Sequence, residues 1–208
     1  MQSDDPRVPE QTETSESDSR REAPADAPRA FRVVGIGASA GGLEAFQKFF
    51  DHMPPESGIA FVLVQHLDPR HETIMPELLA RHTGIPIEVA RDRMRVEPDH
   101  IYVIPPSATL TIERGVLRVQ SPVAKASPHT PIDAFFRSLA EERGENAVCI
   151  LLSGSGTDGT LGLRAVKEHG GMAMAQATET ARHASIPRSA IATGLVDYVL
   201  PAEEMPAR

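Results

Sequence analysis

Cysteine and aromatic residues are scarce in this sequence. Cys149 is the single cysteine among 208 residues, tryptophan is absent, and aromatic residues make up 4% of the chain. One cysteine cannot form an internal disulfide, which argues against a disulfide-stabilised secreted domain and favours a cytoplasmic protein. Because free cysteine is among the most buried residue types, we expect Cys149 to be a small apolar residue of a mostly aliphatic core.

Long hydrophobic runs and an excess of basic residues are also lacking. No apolar run approaches the roughly 20 residues of a membrane-spanning helix, so we expect no direct membrane insertion. The first residues are polar and acidic, so we expect no secretory signal there. The formal net charge is −8, whereas nucleic acid and anionic membranes attract a basic face. We therefore expect no nucleic-acid partner.

Residues 1–30 differ in composition from the rest of the chain. They contain eight acidic residues and four arginines, no aromatic residue and almost no large aliphatic one. Such a segment cannot bury enough surface to offset its ordering entropy, so it is predicted to be disordered. We divide the chain into an acidic, proline-containing tail at 1–30, one domain at 31–204 and a short C-terminal tail at 205–208.

From residue 31 onward, short apolar runs alternate with amphipathic stretches. The predicted strands cover residues 33–36, 59–64, 85–89, 101–104, 109–112, 116–119, 147–152, 172–175 and 196–200. Five helices are predicted. Two of them begin near residues 43 and 131, and the other three cover residues 73–82, 159–169 and 188–193. This alternation predicts a doubly wound, mostly parallel α/β sheet with helices on both faces, a three-layer α/β/α arrangement. Strands 109–112 and 116–119 flank Gly115 and are predicted to add a β-hairpin.

Ligand sites in such sheets gather at the carboxyl ends of the strands, and the first strand ends in the glycine-rich turn GIGASAGG. Gly35, Gly37 and Ala40 match the dinucleotide-binding fingerprint G-x-G-x-x-A. The same turn also matches the nucleophile elbow G-x-S-x-G around Ser39, in which glycines allow a sharp strand-to-helix turn that exposes a hydroxyl. A third interpretation is structural, with Ser39 only capping the helix.

The end of the second strand favours the nucleophile. A dinucleotide site requires an acidic residue there to hold the ribose hydroxyls, but the strand runs into His66, and Asp68 lies past the predicted strand end. Neutral imidazole can take a proton from a serine hydroxyl and return it to a leaving group. The alternative for His66 is a structural histidine in a loop, and the other seven histidines are interpreted as surface residues.

The strand at 147–152 ends in a second flexible loop, SGSGTDG, which contains Asp158. A carboxylate here could accept a hydrogen bond from the His66 ring and fix its tautomer. The alternative is an N-cap for the helix that follows, because aspartate is favoured at that position. Together, Ser39, His66 and Asp158 stand at the ends of three apolar strands, a pattern that predicts a hydrolase of esters or amides.

Six segments of the chain resemble the catalytic domain of CheB-type protein-glutamate methylesterases. They span residues 32–204, and their wording is closest to versions fused to methyltransferase and sensor modules. The segments are GIGASAGGLEAF, VLVQHLDPRH, YVIPP, PIDAFFRSLA, LLSGSGTDGTLGL and IPRSAIATGLVDYVLP.

The resemblance implies hydrolysis of γ-glutamyl methyl esters, and deamidation of certain glutamines, on the helices of methyl-accepting chemotaxis receptors or similar signalling proteins. It implies no metal or organic cofactor, and a methyltransferase is a further partner that it suggests. Ser39 is the implied nucleophile, His66 the general base and acid, and Asp158 the group that orients His66. The backbone N–H of Ser155 is the implied oxyanion donor, in a substrate loop with Ala40 and Gly156.

The chain departs from the family pattern at several points. Ala40 stands where family members often have threonine, and Ser155 stands where they often have methionine. Family members commonly carry an N-terminal receiver domain, and residues 1–30 are too short and too polar to form one, so phosphorylation within this chain is not supported. Arg182 and Arg188 are interpreted as isolated surface arginines, and the alternative is that they steer an acidic receptor helix.

Three other functions stay open at the level of sequence. One is a nucleotide-binding module that uses the Gly35, Gly37 and Ala40 turn. Another is a catalytically silent scaffold that docks receptors. The third is an esterase that acts on a protein outside chemotaxis.

Overall fold

Nine strands and five α-helices make up the described part of the chain in a computed structural model, which covers residues 31–65, 74–120 and 130–208. The strands are β1 (Val33–Ala38), β2 (Ala60–Gln65), β3 (Ile87–Val89), β4 (His100–Val103), β5 (Thr109–Glu113), β6 (Val116–Gln120), β7 (Ala147–Leu151), β8 (Met172–Gln176) and β9 (Tyr198–Leu200). The helices are α1 (Gly42–Phe50), α2 (Met75–Leu79), α3 (Pro131–Arg143), α4 (Thr160–Glu168) and α5 (Ser185–Ile191). Two 3-10 helices cover Gly144–Asn146 and Ala202–Ala207.

The central sheet has seven strands in the order β3-β4-β2-β1-β7-β8-β9, and every neighbouring pair is parallel. The order reverses direction at β1, which pairs with β2 on one side and with β7 on the other. All residues of β1 and β7 are buried, which explains why these strands read as continuous apolar runs. The predicted doubly wound, mostly parallel sheet is confirmed.

Two apolar clusters lie on the two faces of this sheet. One cluster joins the sheet to α3, α4, α5 and the β5–β6 hairpin, and the other joins it to α1, α2 and the C-terminal 3-10 helix. Cys149 lies in the first cluster with no exposed surface, in the middle of β7. The predicted three-layer arrangement and the buried position of Cys149 are both confirmed.

Helix α3 packs very close to β1 because two residues of that strand are glycines. A Cβ placed on Gly35 would lie 2.9 Å from a ring carbon of Phe135 and 2.9 Å from one of Phe136. A Cβ placed on Gly37 would overlap the Ile132 side chain. Real Cβ atoms are almost never this close to other heavy atoms, so both glycines are required for helix–sheet packing.

The β5–β6 hairpin docks on α3. Its strands pair antiparallel, which confirms the predicted hairpin, and Thr109 lies opposite Gln120. The Ser138 hydroxyl accepts the Ile112 N–H at 3.0 Å, and the Glu142 carboxylate accepts the N–H of Gly115 at 2.8 Å at the hairpin turn. The hairpin therefore braces the outer side of the helix whose first turn reaches the candidate site.

The observed boundaries differ from the predicted ones at several places. Helix α5 begins at Ser185 instead of residue 188, because the buried residues Ile186 and Pro187 already belong to its first turn. Residues 205–207, predicted as part of a C-terminal tail, belong to the 3-10 helix Ala202–Ala207, and Met205 in that helix is buried. The predicted tail at 1–30 lies outside the described residues. None of the described helices combines the length and the hydropathy needed to cross a membrane.

Candidate active site

Ser39 lies directly after β1, at the carboxyl edge of the sheet and at its central strand. Its N–H donates to the Ser153 carbonyl at 3.0 Å, and its carbonyl accepts the Gly42 N–H at 2.9 Å. The N-cap of α1 is Gly41, with φ +75°, and no side chain caps this helix. The interpretation of Ser39 as a helix cap is therefore wrong, and its partly exposed side chain is held on a sharp strand-to-helix turn.

The loop after β7 lies against this turn at Gly154. A Cβ placed on Gly154 would lie 2.9 Å from the Ser39 Cβ and 3.0 Å from the Ser39 nitrogen, and it would overlap the Ile186 side chain. The Gly154 N–H donates to the His183 carbonyl at 2.8 Å, and its carbonyl accepts the Ile186 N–H at 3.0 Å. Only glycine allows the two strand ends and the start of α5 to meet here.

Ser153 connects the same three segments through hydrogen bonds and was not singled out from the sequence. Its buried hydroxyl donates to the Ala40 carbonyl at 2.9 Å and accepts the His183 N–H at 3.0 Å. Its own N–H donates to the buried side-chain oxygen of Gln176 at 2.9 Å. A polar residue at the end of an apolar strand was visible in the sequence, but its partners are far away along the chain.

Asp158 is buried at the far end of the β7 loop and binds a helix other than the one that follows it. Its two carboxylate oxygens accept the N–H groups of Ile132 and Asp133, at 3.0 and 2.9 Å, in the first turn of α3. The N-cap of α4 is Gly159, without a side-chain bond, so the interpretation of Asp158 as the cap of its own helix is wrong. A carboxylate can accept about four hydrogen bonds, so holding α3 is compatible with accepting an imidazole N–H as well.

Asp133 is a second buried carboxyl group next to Asp158. Its Oδ1 accepts the Gly162 N–H at 2.8 Å, which joins α3 to α4. Burial raises the pKa of Asp133 above its ordinary value, and the nearby charge of Asp158 raises it further, while the hydrogen bond from Gly162 opposes both effects. The sequence indicated only an acid in a first helical turn, so this buried contact between helices was missed.

His66, the predicted general base, lies outside the described residues. The residue before it in the sequence, Gln65, ends β2 and is paired with Ala38, the residue before Ser39. The Gln65 Nε2 donates to the Ser39 carbonyl at 3.3 Å. The last residue of β2 therefore contacts the serine turn directly, although the role of His66 stays a prediction.

The predicted oxyanion loop faces solvent beside the serine turn. Ala40, Ser155 and Gly156 are exposed, and a Cβ on Gly156 would meet open space. Within the described part of the chain, the N–H groups of these three residues donate no hydrogen bond, whereas the Ser39 N–H is already bonded to Ser153. These exposed amides are the donors that remain available to a developing oxyanion.

A groove of about 560 Å³ opens at Ser39 and follows the first turns of α1. Two charged side chains line it, Glu44 and Arg182, together with Gln47 and Gln65. The sequence favoured an isolated surface position for Arg182, because an exposed arginine in a loop gives no signal of the groove that it lines. Among the described residues, no group of three or more His, Cys, Asp or Glu is placed to hold a metal ion.

Fold and site together define a doubly wound α/β domain with a sharp serine turn, a carboxylate loop and exposed amides at one sheet edge, an arrangement suited to acyl transfer. The family model described as CheB methylesterase matches residues 34–208. The chain therefore belongs to the CheB methylesterase family.

A solved structure and curated relatives agree with this membership. The crystal structure of the Thermotoga maritima CheB methylesterase catalytic domain is 28% identical, with a TM-score of 0.78, and the match covers 85% of this chain and 96% of that one. A putative protein-glutamate methylesterase/protein-glutamine glutaminase of Leptospira interrogans is 33% identical over 176 residues, which is 84% of this chain and 91% of that protein.

Other relatives are longer than this chain. It spans 51% of a protein-glutamate methylesterase/protein-glutamine glutaminase of Pectobacterium atrosepticum, which is 33% identical over 181 residues, or 85% of this chain. An uncharacterised 104.1 kDa protein of Rhodobacter capsulatus is 44% identical over 131 residues, which is 63% of this chain and 14% of that protein.

Proposed function

We propose that this chain is a protein-glutamate methylesterase that hydrolyses γ-glutamyl methyl esters and deamidates certain glutamines. The observation that carries the proposal is the packing of the Ser39 turn against the Gly154 loop, at the carboxyl edge of the sheet of a CheB-family domain. The curated relatives from Leptospira and Pectobacterium bear both activities in their names.

In the proposed reaction, the Ser39 hydroxyl gives its proton to His66 and attacks the ester carbonyl. The exposed amides of the loop, with Ser155 as the main donor, hold the oxyanion. Methanol leaves with the proton from His66, and a glutamyl ester on Ser39 remains. Water, deprotonated by His66, then hydrolyses this acyl-enzyme to the free glutamate, and with a glutamine substrate the first leaving group is ammonia.

Asp158 is proposed to orient His66 from a fixed position. Its carboxylate is held by the N–H groups of Ile132 and Asp133, so it cannot swing away without releasing the first turn of α3. The N-terminal end of a helix also stabilises a negative charge. An anchored carboxylate of this kind fixes the tautomer of its histidine and stabilises the imidazolium that forms.

The proposed partners are methyl-accepting chemotaxis receptors or similar methylated signalling proteins, together with the methyltransferase that supplies the esters. We propose the cytoplasm as the site of action, since a single buried cysteine is typical of proteins from a reducing compartment. The Gly35 and Gly37 pair does not require a nucleotide to explain it, because both glycines serve the packing of α3.

Methanol release from a methylated receptor tests the proposal. We expect Ser39→Ala and His66→Ala each to lower the rate by about 10⁴-fold or more, because a triad acts as a unit. Ser189→Ala and His52→Ala, at positions that do not line the groove, are the matched controls. Wild-type turnover in both triad variants would contradict the proposal. If the wild-type protein releases no methanol and a fluorophosphonate does not label Ser39, the chain is a docking scaffold instead.

A further inference from the structure

We propose that Arg182 is a specificity-determining residue that recognises an acidic side chain of the substrate within one helical turn of the esterified glutamate. This inference rests on the proposed function and adds a chemical requirement for the residues that flank the ester. It starts from the position of Arg182 in the wall of the groove that holds Ser39.

The Arg182 side chain runs over the serine turn. Its Cβ and Cδ lie 3.0 and 3.4 Å from the position that a Cβ on Gly41 would occupy, two residues after Ser39. The aliphatic part of the arginine therefore packs on the turn, and the residue lines the groove that opens at Ser39.

The backbone that carries Arg182 is fixed to the site. The next residue, His183, donates its N–H to the Ser153 hydroxyl at 3.0 Å and accepts the Gly154 N–H at 2.8 Å. Ala184 then forms a parallel bridge with Gly154. Arg182 thus has a defined position relative to Ser39 although it lies in a loop, which a residue that selects substrates requires.

The charges around the groove favour an anion. Within the described residues the Arg182 side chain forms no ion pair, whereas Glu44, which also lines the groove, is paired with Lys48 at 3.1 Å. Lys48, Glu44 and Arg182 also line a small cavity that continues the groove. Two cationic side chains and one anionic side chain therefore line this small cavity. Its local charge is positive, although the formal net charge of the whole protein is −8.

This local charge has a physical consequence for substrate choice. An acidic substrate segment is repelled by the protein as a whole, so it needs a positive group at the point of contact. The bidentate geometry of a guanidinium suits a carboxylate more than it suits a neutral amide. A segment in which glutamates surround the ester should therefore bind better than one in which glutamines surround it.

Two helical peptides test the inference. Each carries one γ-glutamyl methyl ester, flanked at the surrounding helical positions by glutamate in one peptide and by glutamine in the other. Binding is measured by fluorescence anisotropy in Ser39→Ala protein, so that the ester is not consumed, and methanol release is measured in protein with Ser39 intact. Arg182→Gln and Arg182→Lys are compared in both assays with the control Arg188→Gln, an exposed arginine of α5.

We expect a preference for the glutamate-flanked peptide of about fivefold at low salt, as for a single partly exposed charge pair. Arg182→Gln should abolish it, Arg182→Lys should retain part of it, and Arg188→Gln should leave it unchanged. In turnover the effect should fall on KM, with kcat retained, and it should weaken as salt is added.

The two assays separate this inference from the proposed function. A preference that survives Arg182→Gln, or that is absent from the wild-type protein, overturns the role of Arg182 while methanol release upholds the esterase. A binding preference that depends on Arg182, without methanol release from either peptide, supports the recognition role and contradicts the esterase.

Discussion

Asp133 holds a carboxyl group in the interface between α3 and α4, where its accepted hydrogen bond from Gly162 substitutes for part of its hydration. Since burial raises its pKa above 3.8, the folded protein binds this proton more tightly than the unfolded chain does. The contribution of protonated Asp133 to the free energy of unfolding is fully present below pH 3.8, and it is lost as the pH rises through the raised pKa.

The variant Asp133→Asn removes the charge but keeps an oxygen that can accept the Gly162 N–H. We expect the free energy of unfolding of the wild type to fall relative to that of the variant between pH 4 and pH 7. Denaturant unfolding at the two pH values measures this difference, with Glu168→Gln as an exposed control on α4. A difference that is constant with pH, or that grows in favour of the wild type, would contradict the role assigned to burial.

At the scale of secondary-structure elements, the packing of α3 on β1 requires that the β1 residues facing the helix have no Cβ atom. Gly37 faces Ile132, and no room is left for a methyl group between them. We expect Gly37→Ala to lower the free energy of unfolding by about 1–3 kcal/mol, the typical cost of overpacking. Denaturant unfolding measures this loss of stability. Gly84→Ala is the control, because a Cβ on Gly84 would have only Pro55 nearby, at 3.8 Å. Equal stability of the two variants would show that α3 can move away from the sheet.

The same contact shows what could be predicted from the sequence. Buried parallel strands read as apolar runs, and the turn at Gly115 signals the hairpin. Both were therefore predicted from the sequence, with boundaries displaced by one to a few residues. The glycines of β1 were noticed, but two mechanisms were open for them. Their packing partners in α3, Phe135 for Gly35 and Ile132 for Gly37, are almost 100 residues away along the chain, so only the folded chain reveals why they are glycines.

The site was predictable to a similar extent. The serine turn and the Asp158 loop are signalled by local motifs, whereas the partners of Asp158 in α3 and the docking of Arg182 arise from contacts between distant segments. Exposed arginines occur at many surface positions, so nothing in the sequence distinguished Arg182 from Arg188. The part of His66 in catalysis still depends on the motif alone.

For the molecule as a whole, Cys149 offers a measure of global unfolding. It has no exposed surface, pairs in β7 between Gly35 of β1 and Ala173 of β8, and burial raises its thiol pKa far above the ordinary value. Only opening of the central sheet can expose the reactive thiolate. We expect a thiol reagent to modify native protein at least about a thousandfold more slowly than unfolded protein.

The rate of modification across a denaturant series provides the measurement. It should rise in parallel with the loss of secondary structure, because the central strands open only when the domain unfolds. Rapid modification of native protein, with the secondary structure still intact, would show that the sheet opens locally at β7.

The position of Cys149 also makes the native chain a convenient background for site-specific probes. A cysteine introduced at an exposed residue that lines the groove, for example at Glu44, would present the accessible thiol, while the native one stays shielded. Spin labels or fluorophores could then report the arrival of a substrate helix without prior removal of any natural residue.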